Sequence, residues 1–272
     1  NLKSYTTTQR DALTSAAGDT IYNTTDSKVQ VYNGSSWDDL GGVNAFSIEY
    51  LVIAGGGGGN TSDDVAHGAG GAGGYLCNVN GENSGGNTSA QPALFIPKST
   101  NLQVSVGSGG SSNSPGSKSE FTSIMSVGGG EGTQTDNSSG SAGSPNGRTS
   151  GGPTAAITNN IAGQGSASGE GVSYQGSGGA GGAGAAGADG TNNQGGAGGA
   201  GLASSITGSS VTRGGGGGGG GTTGGAGGSG GGGAGGSGNN ASGTSGTVNT
   251  GGGGGGSGIL TGGTPGSGGS GV

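Results

Sequence analysis

The chain has 272 residues, of which 82 are glycine, and only 8% of its residues are charged and 4% aromatic. Its hydrophobic fraction of 25% is about half that of an ordinary globular protein, which excludes a conventional apolar core for the whole chain. The formal net charge of −7 argues against binding to nucleic acid or to an anionic membrane, which would require a basic surface. The six prolines are too few for a collagen triple helix.

Residues 1–42 have the composition of an ordinary protein. The stretch Thr6–Leu13 combines threonine caps with good helix formers and predicts a short helix. The stretches Thr20–Asn23 and Lys28–Tyr32 alternate apolar and polar residues around a polar run, which predicts a β-hairpin with Val29 and Val31 on one face.

Trp37 is expected to close a small apolar cluster in this segment with Tyr22, Val31 and Leu40. A unit of about 40 residues rarely buries enough apolar surface to be stable alone. We therefore expect residues 1–42 to need copies of themselves or a neighbouring segment.

The run from Tyr5 to Leu40 resembles a short module of tailed-phage virion proteins. The resemblance is carried by the order Arg-Asp-Ala-Leu, Tyr-Asn, Val-Gln-Val-Tyr-Asn-Gly and Trp. It implies an oligomerising adaptor, commonly a trimer in that family, that joins other virion proteins through residues 1–42.

Residues 43–132 mix apolar segments with glycine runs. Phe46–Ala54 predicts one strand, apolar on both faces at Leu51–Ile53 and so buried, that runs directly into glycine. Leu102–Val106 alternates and predicts a second strand, and Phe121–Val127 is a further strand candidate. Nearly all the conventional core residues lie in this first half of the chain.

Glycine recurs at every third position in the second half, within Gly178–Gly190, Gly195–Gly201 and Gly224–Gly238. This period is neither helical nor that of a strand, and it is the period of the polyproline-II conformation. Such rods have no internal hydrogen bonds, so their amides must bond laterally to other rods. Alanine and serine at every third position are expected at the exterior or at wider contacts. The alternative is a disordered, linker-like chain.

The predicted fold class is therefore mostly non-α. It consists of a small N-terminal β-hairpin module (1–42), a strand-containing, glycine-interrupted transition segment (43–132) and a polyglycine-II helical bundle with display loops (133–272). The chain has neither a signal peptide nor an initiator methionine, and we expect it to be a processed or internal piece of a longer protein.

The part from Phe46 to Val272 resembles the glycine-rich domain of phage tail-fibre and adhesin proteins. The junction Leu51–Gly59 and the block Leu202–Gly221 carry this resemblance most specifically. It implies packed polyglycine-II helices and, in most members, a closing apolar strand after Gly-Gly-Ser-Gly. This sequence stops at Val272, and we expect the closing strand to be missing from the given chain.

Signals for catalysis are poor. The sequence has no Gly-Lys-Ser/Thr of a P-loop, and its single histidine and single cysteine form no Ser/His/Asp constellation. Asp63, Asp64 and His67 are a weak candidate for a divalent metal site, with a solvated polar loop as the alternative. We expect a non-enzymatic protein without a cofactor.

Loops that join stiff rods are the natural place for recognition. The candidate receptor-contact residues lie in polar loops: Tyr174, Gln175, Asn192, Asn193, Asn137 and Arg148. Tyr174 either contacts a saccharide or a protein loop, or packs on the end of the bundle.

The expected function is that of a non-enzymatic virion protein, a tail fibre or adhesin on the virion surface that displays loops to a host receptor of protein or glycan nature. Its expected partners are itself, as a homo-oligomer, and other virion proteins, with neither nucleic acid nor membrane insertion. The alternative is a purely structural decorating fibre or filament, and an enzyme such as a depolymerase is a more distant third.

Overall fold

The computed structural model describes residues 2–40, 45–61, 67–97, 100–132, 163–172, 176–259 and 262–272. The chain divides into two compact units, residues 1–48 with 94–100 and residues 49–93 with 101–272. The predicted mostly non-α fold is confirmed. The three-part division expected from the sequence is a division by composition and stays a prediction.

One α-helix and a set of short strands are present among the described residues. In chain order they are β1 (Lys3–Tyr5), α1 (Thr7–Asp11), β2 (Thr20–Asn23), β3 (Lys28–Tyr32), β4 (Trp37–Asp39), β5 (Ala45–Ile48), β6 (Leu51–Ile53), β7 (Tyr75–Cys77), β8 (Asn83–Ser84), β9 (Thr88–Ser89), β10 (Leu94–Pro97), β11 (Val104–Ser105), β12 (Ser119–Phe121), β13 (Ile124–Ser126), β14 (Leu202–Ser204) and β15 (Val211–Arg213). A 3₁₀ turn, Gly85–Asn87, lies between β8 and β9.

The first unit contains a four-stranded sheet in the order β1-β2-β3-β4. The predicted hairpin is confirmed as β2 and β3, which pair antiparallel, while β1 joins β2 in parallel. The predicted helix is α1, one turn and a half that begins at a capping box formed by Thr6 and Gln9.

A polar network lies between α1 and this sheet, where a larger domain would place apolar side chains. The Arg10 guanidinium donates to Gln30 Oε1 (2.9 Å), and Asn23 Nδ2 donates to the same oxygen (3.0 Å). Asn23 and Gln30 are buried, at 0% and 5% exposure. The network therefore satisfies buried polar groups, as burial without hydrogen bonds would be costly.

The expected cluster of Trp37 with Tyr22, Val31 and Leu40 is wrong. Trp37 is the cross-strand partner of Tyr32, and the two rings lie 5.4 Å apart. Because side chains alternate along a strand, Tyr32 and Trp37 share one face of the sheet and Val31 points to the other.

The single strand expected over Phe46–Ala54 is also wrong. The structure divides it into β5, which pairs with β10 in the first unit, and β6, which pairs with β7 in the second. The stretch Phe121–Val127 likewise forms a hairpin of β12 and β13 with Thr122 at φ +53° in its turn, and not one strand. In the first stretch a change of pairing partner interrupts the apolar run, and in the second a turn interrupts it.

Glycine rods make up most of the second unit, and the rod at residues 54–60 shows their bonding. Its amides donate in turn to three neighbouring segments, and each neighbour is reached by every third residue. Gly55 and Gly58 donate to residues 117 and 114, Gly56 and Gly59 to residues 269 and 266, and Gly57 and Asn60 to residues 71 and 68, at 2.8 to 3.0 Å. The predicted three-residue period is confirmed as the repeat of lateral bonding.

Three further segments donate to the carbonyl oxygens of the same rod. Gly129 bonds to Gly55, Gly110 to Gly56 and Gly254 to Gly57. The rod thus has six bonded neighbours, and backbone hydrogen bonds take the place of an apolar core.

Two other rods, residues 214–221 and 251–258, are surrounded in the same way. The first donates to segments around residues 230–236, 196–199 and 67–70, and accepts from segments around 177–183, 225–228 and 253–256. The three surrounded rods contain the longest uninterrupted glycine runs of the chain. Packing explains why these runs carry no side chains. A Cβ on a surrounded rod would overlap the backbone carbonyl of a neighbouring rod, whichever way it pointed.

Rods at the margin of the lattice carry a side chain at every third position. Ala197 and Ala226 lie in such rods with their methyl groups exposed. Ala69 and Ala180 are fully buried inside the lattice, at 0% exposure. The exterior position expected for alanine therefore occurs, and the expectation of wider contacts stays a prediction.

Candidate functional site

The two ends of the glycine lattice differ. At one end, here called the hairpin end, the rods continue into the pairs β6–β7, β12–β13 and β14–β15. At the other, the turn end, short polar turns join the rods. The turn end comprises residues 111–114, 191–194, 221–223 and 237–240.

Backbone bonds connect neighbouring turns across the turn end. The Thr223 amide donates to Asn193 O (2.8 Å), and the Gly195 amide donates to Thr223 O (2.8 Å). On the other side of the same turn, the Gly238 amide donates to Gly221 O (2.9 Å) and the Gly224 amide to Ser237 Oγ (2.9 Å). Main-chain atoms, together with the Ser237 hydroxyl, therefore hold these turns in place and leave the other side chains named here available.

The exposed side chains of the turn end are polar and uncharged. They belong to Ser111, Ser112, Asn113, Thr191, Asn192, Asn193, Gln194, Thr222, Thr223, Ser237, Asn239 and Asn240. Amides and hydroxyls both donate and accept hydrogen bonds. This surface can therefore bind a neutral ligand rich in hydroxyl or amide groups.

A comparison with known families is consistent with this architecture. The profile of a family described as a glycine-rich domain matches residues 30–272. The chain belongs to this glycine-rich domain family. No match was found to a curated protein or to a solved structure. The family match says nothing about phage tail fibres, and no helix in the described part of this glycine-rich domain protein has the length and apolarity of a membrane span.

The structure places two of the predicted contact residues of the glycine-rich domain at the turn end. Asn192 and Asn193 occupy the tip of the turn closed by Thr191 and Gln194, whose amides and carbonyls bond to each other. The other predicted contact residues lie outside the described residues: Tyr174, Gln175, Asn137 and Arg148. Composition did not single out the turn at residues 221–223, which only its bonds to Asn193 and Gly238 reveal.

Of the three residues of the predicted metal site, His67 lies within the described residues, and Asp63 and Asp64 lie outside them. His67 is buried at 1% exposure, and its Nδ1 lies 2.7 Å from the hydroxyl of Ser257, which is itself fully buried. The Ser177 hydroxyl donates to the His67 carbonyl (2.7 Å). The metal site stays a prediction, and in the described residues His67 connects three rods.

The pair of Ser257 and His67 has the spacing of a nucleophile and its base, but both side chains are closed to a substrate. We expect Ser257→Ala to lower the free energy of unfolding by about 1 kcal/mol through the lost hydrogen bond. Hydrolysis of p-nitrophenyl acetate should proceed at the same slow rate with both proteins. A rate that depends on Ser257 would show that the pair is catalytic.

Cys77 and Glu82 form a second polar group, near the hairpin end. The Cys77 thiol donates to Glu82 Oε2 (3.4 Å), and Glu82 Oε1 accepts from the amide and hydroxyl of Ser205 (2.8 and 2.7 Å). Burial raises the pKa of Cys77 to about 11. Burial also acts to raise the pKa of Glu82, but hydrogen bonds from Ser204, Ser205 and Cys77 outweigh it and the pKa is lowered. The thiol is thus protonated at neutral pH and is a poor nucleophile.

Proposed function

We propose that this protein is a non-enzymatic display protein of a phage virion, a tail fibre or adhesin whose turn end binds a receptor on the host surface. The single observation that carries the proposal is the turn end itself, a set of neutral polar turns held by backbone bonds at one end of a glycine lattice. The resemblance of residues 5–40 and 46–272 to phage proteins supports the virion context.

Rigid mounting of the turns favours binding. A loop that is already ordered loses little conformational entropy when it meets its ligand, so more of the contact energy remains as affinity. The turn of Asn192 and Asn193 is bonded to its neighbour through Thr223, and the lattice below it is continuous. Neutral amides and hydroxyls are suited to a glycan or to a polar protein loop.

The remaining parts of the proposal concern assembly. We propose that residues 1–42 form homo-oligomers, with a trimer as the form implied by the resemblance, and attach the chain to other virion proteins. Several copies would bring several turn ends to one host surface, and multivalency raises apparent affinity without any new contact. The proposed location is the virion surface.

The test is binding of the purified, fluorescently labelled protein to a panel of bacterial strains. The double substitution of Asn192→Ala with Asn193→Ala should reduce binding to a susceptible strain at least about tenfold, the loss expected for a few hydrogen bonds in a contact. The backbone bonds of the turn do not involve these side chains, so the fold should persist.

A matched control is the double substitution of Thr207→Ala with Ser209→Ala, two exposed positions in the turn between β14 and β15 at the hairpin end. It should leave binding unchanged. Equal binding by the Asn192/Asn193 variant and the unsubstituted protein would contradict the assignment of the turn end as the receptor contact.

A second candidate is a decorating fibre or filament with no receptor. The lattice favours it in one respect, because inter-rod hydrogen bonds account for the glycine content without any ligand. In that case the protein would bind no strain of the panel but would coat the assembled particle, and antibody labelling in electron micrographs would locate it there.

A further inference from the structure

Two clefts meet at Trp37 in the first unit. One, of about 410 Å³, is lined by Lys3, Tyr5, Asp19 and Ile21 among others, and the second, of about 440 Å³, by Arg10, Asp11, Tyr32 and Ser36 among others. Leu13, Ser15 and Trp37 line both clefts. The volume of each is typical of a small-molecule site.

The register of the sheet creates an aromatic wall at this place. Trp37 opposes Tyr32 across β3 and β4 and forms this wall with it, while Tyr5 lies on the same face in β1 but in register with Lys28, at the other end of β3. The two facing rings are tilted by 54° with their centroids 5.4 Å apart. Trp37 is only half-buried, so part of the indole remains as an apolar surface between the clefts.

The charges of each cleft balance. Lys3 and Asp19 line the first, and the ion pair of Arg10 and Asp11, with 2.6 Å between its atoms, lines the second. A site with one cation and one carboxylate has no net charge with which to attract a charged ligand. The clefts therefore favour a ligand that is neutral and makes many hydrogen bonds.

Ser15 adds a polar group that lacks a partner. Its hydroxyl oxygen is buried from solvent and has no hydrogen bond within the described structure, although the residue lines both clefts. A buried hydroxyl without a partner is costly. Rotation about the Cα–Cβ bond of Ser15 would turn Oγ toward a cleft, where a hydrogen bond to a ligand hydroxyl would remove this cost.

We propose that the clefts bind a neutral saccharide, with the apolar face of one sugar ring against Trp37 and ring hydroxyls bonded to Ser15 and to the polar groups of the walls. A sugar ring combines an apolar face with a rim of donors and acceptors, which matches an aromatic surface bordered by hydroxyl and charged side chains. This site belongs to the first unit and is independent of the turn end, so each can fail alone.

Trp37 is the single tryptophan of the chain, so intrinsic fluorescence reports directly on the site. The full chain is titrated with glucose, galactose, mannose, N-acetylglucosamine and their common disaccharides at millimolar concentrations. We expect a saturable change in tryptophan emission with at least one of these sugars. The absence of a saturable change with all of them would overturn the proposal, as would tighter binding of glucuronate than of glucose.

Variants are compared by saturation-transfer NMR, which needs no tryptophan. Trp37→Ala should abolish transfer to the sugar, and Ser15→Ala should weaken binding about fivefold, the loss expected for one hydrogen bond. Phe95→Ala, which removes an aromatic ring that is 62% exposed and lies outside both clefts, should leave transfer unchanged. Equal loss in the Phe95 and Ser15 variants would overturn the proposal, and Ser15→Ala keeps it testable if Trp37→Ala unfolds.

Discussion

Replacement of Gly217 by alanine is expected to lower the free energy of unfolding of the lattice by about 3 kcal/mol or more. Gly217 lies in the surrounded rod at residues 214–221, and a Cβ there would overlap the carbonyl of Gly254 and lie 3.0 Å from the methyl group of Ala69. Because the overlapped atoms are backbone, they cannot move aside without breaking the bonds of two rods.

A urea titration monitored by circular dichroism measures this loss of stability. Two control substitutions isolate its cause. Gly208→Ala adds the same methyl group where no atom lies within 4 Å, so only its φ of +90° carries a cost, about 1 kcal/mol. Ala226→Ser changes an exposed position of a marginal rod and should be neutral within about 0.5 kcal/mol. If Gly217→Ala lowers the free energy of unfolding no more than Gly208→Ala does, then the close packing of the rods does not exclude side chains.

Truncation of Tyr75 to alanine is expected to lower the free energy of unfolding by about 3 to 5 kcal/mol. Tyr75 is fully buried at the hairpin end, in the apolar cluster it forms with Ile53, Cys77, Val79 and Ala183. This cluster is a conventional core within a unit that is otherwise held by backbone bonds. Loss of its largest side chain leaves a cavity that the rods on either side cannot fill.

The substitution Tyr75→Phe separates packing from polarity at the same site. The Tyr75 hydroxyl is buried without a hydrogen bond in the described structure, although Ser204 lies beside it. Burial raises the pKa of this phenol, so the hydroxyl is uncharged at neutral pH. Its removal should be neutral or stabilise by up to about 1 kcal/mol in the same urea experiment. A loss above about 1 kcal/mol would reveal a hydrogen bond that the geometry lacks.

The lattice was predictable because its cause is local. Glycine at every third position permits three-residue rods, and the lack of side chains leaves lateral backbone bonds as the means of ordering them. The hairpin of β2 and β3 was predictable for the same kind of reason, since alternation around a polar run is a local pattern. By contrast, the hairpin of β14 and β15 lies among glycine arrays, and its strands are too short to stand out from them.

The candidate site was predictable only in part. Asn192 and Asn193 could be proposed because a polar turn interrupts two glycine arrays. Their connection to Thr223, about 30 residues further along the chain, depends on which rods lie side by side. The face of Trp37 was missed because one residue of strand register decides it, and register follows from the pairing of β3 with β4.

The amino-acid sequence by itself determined the kind of order this protein has. In glycine segments with a three-residue repeat, the backbone amides and carbonyls can find partners only through lateral bonds to other segments. The longest glycine runs must lie in the interior of the lattice. The neighbours of each rod were decided by the tertiary structure alone, as were the break between β5 and β6 and the gathering of polar turns at one end. The physical reason is that one glycine rod offers the same amides and carbonyls as another, so the choice among them depends on the whole set of bonds formed at once.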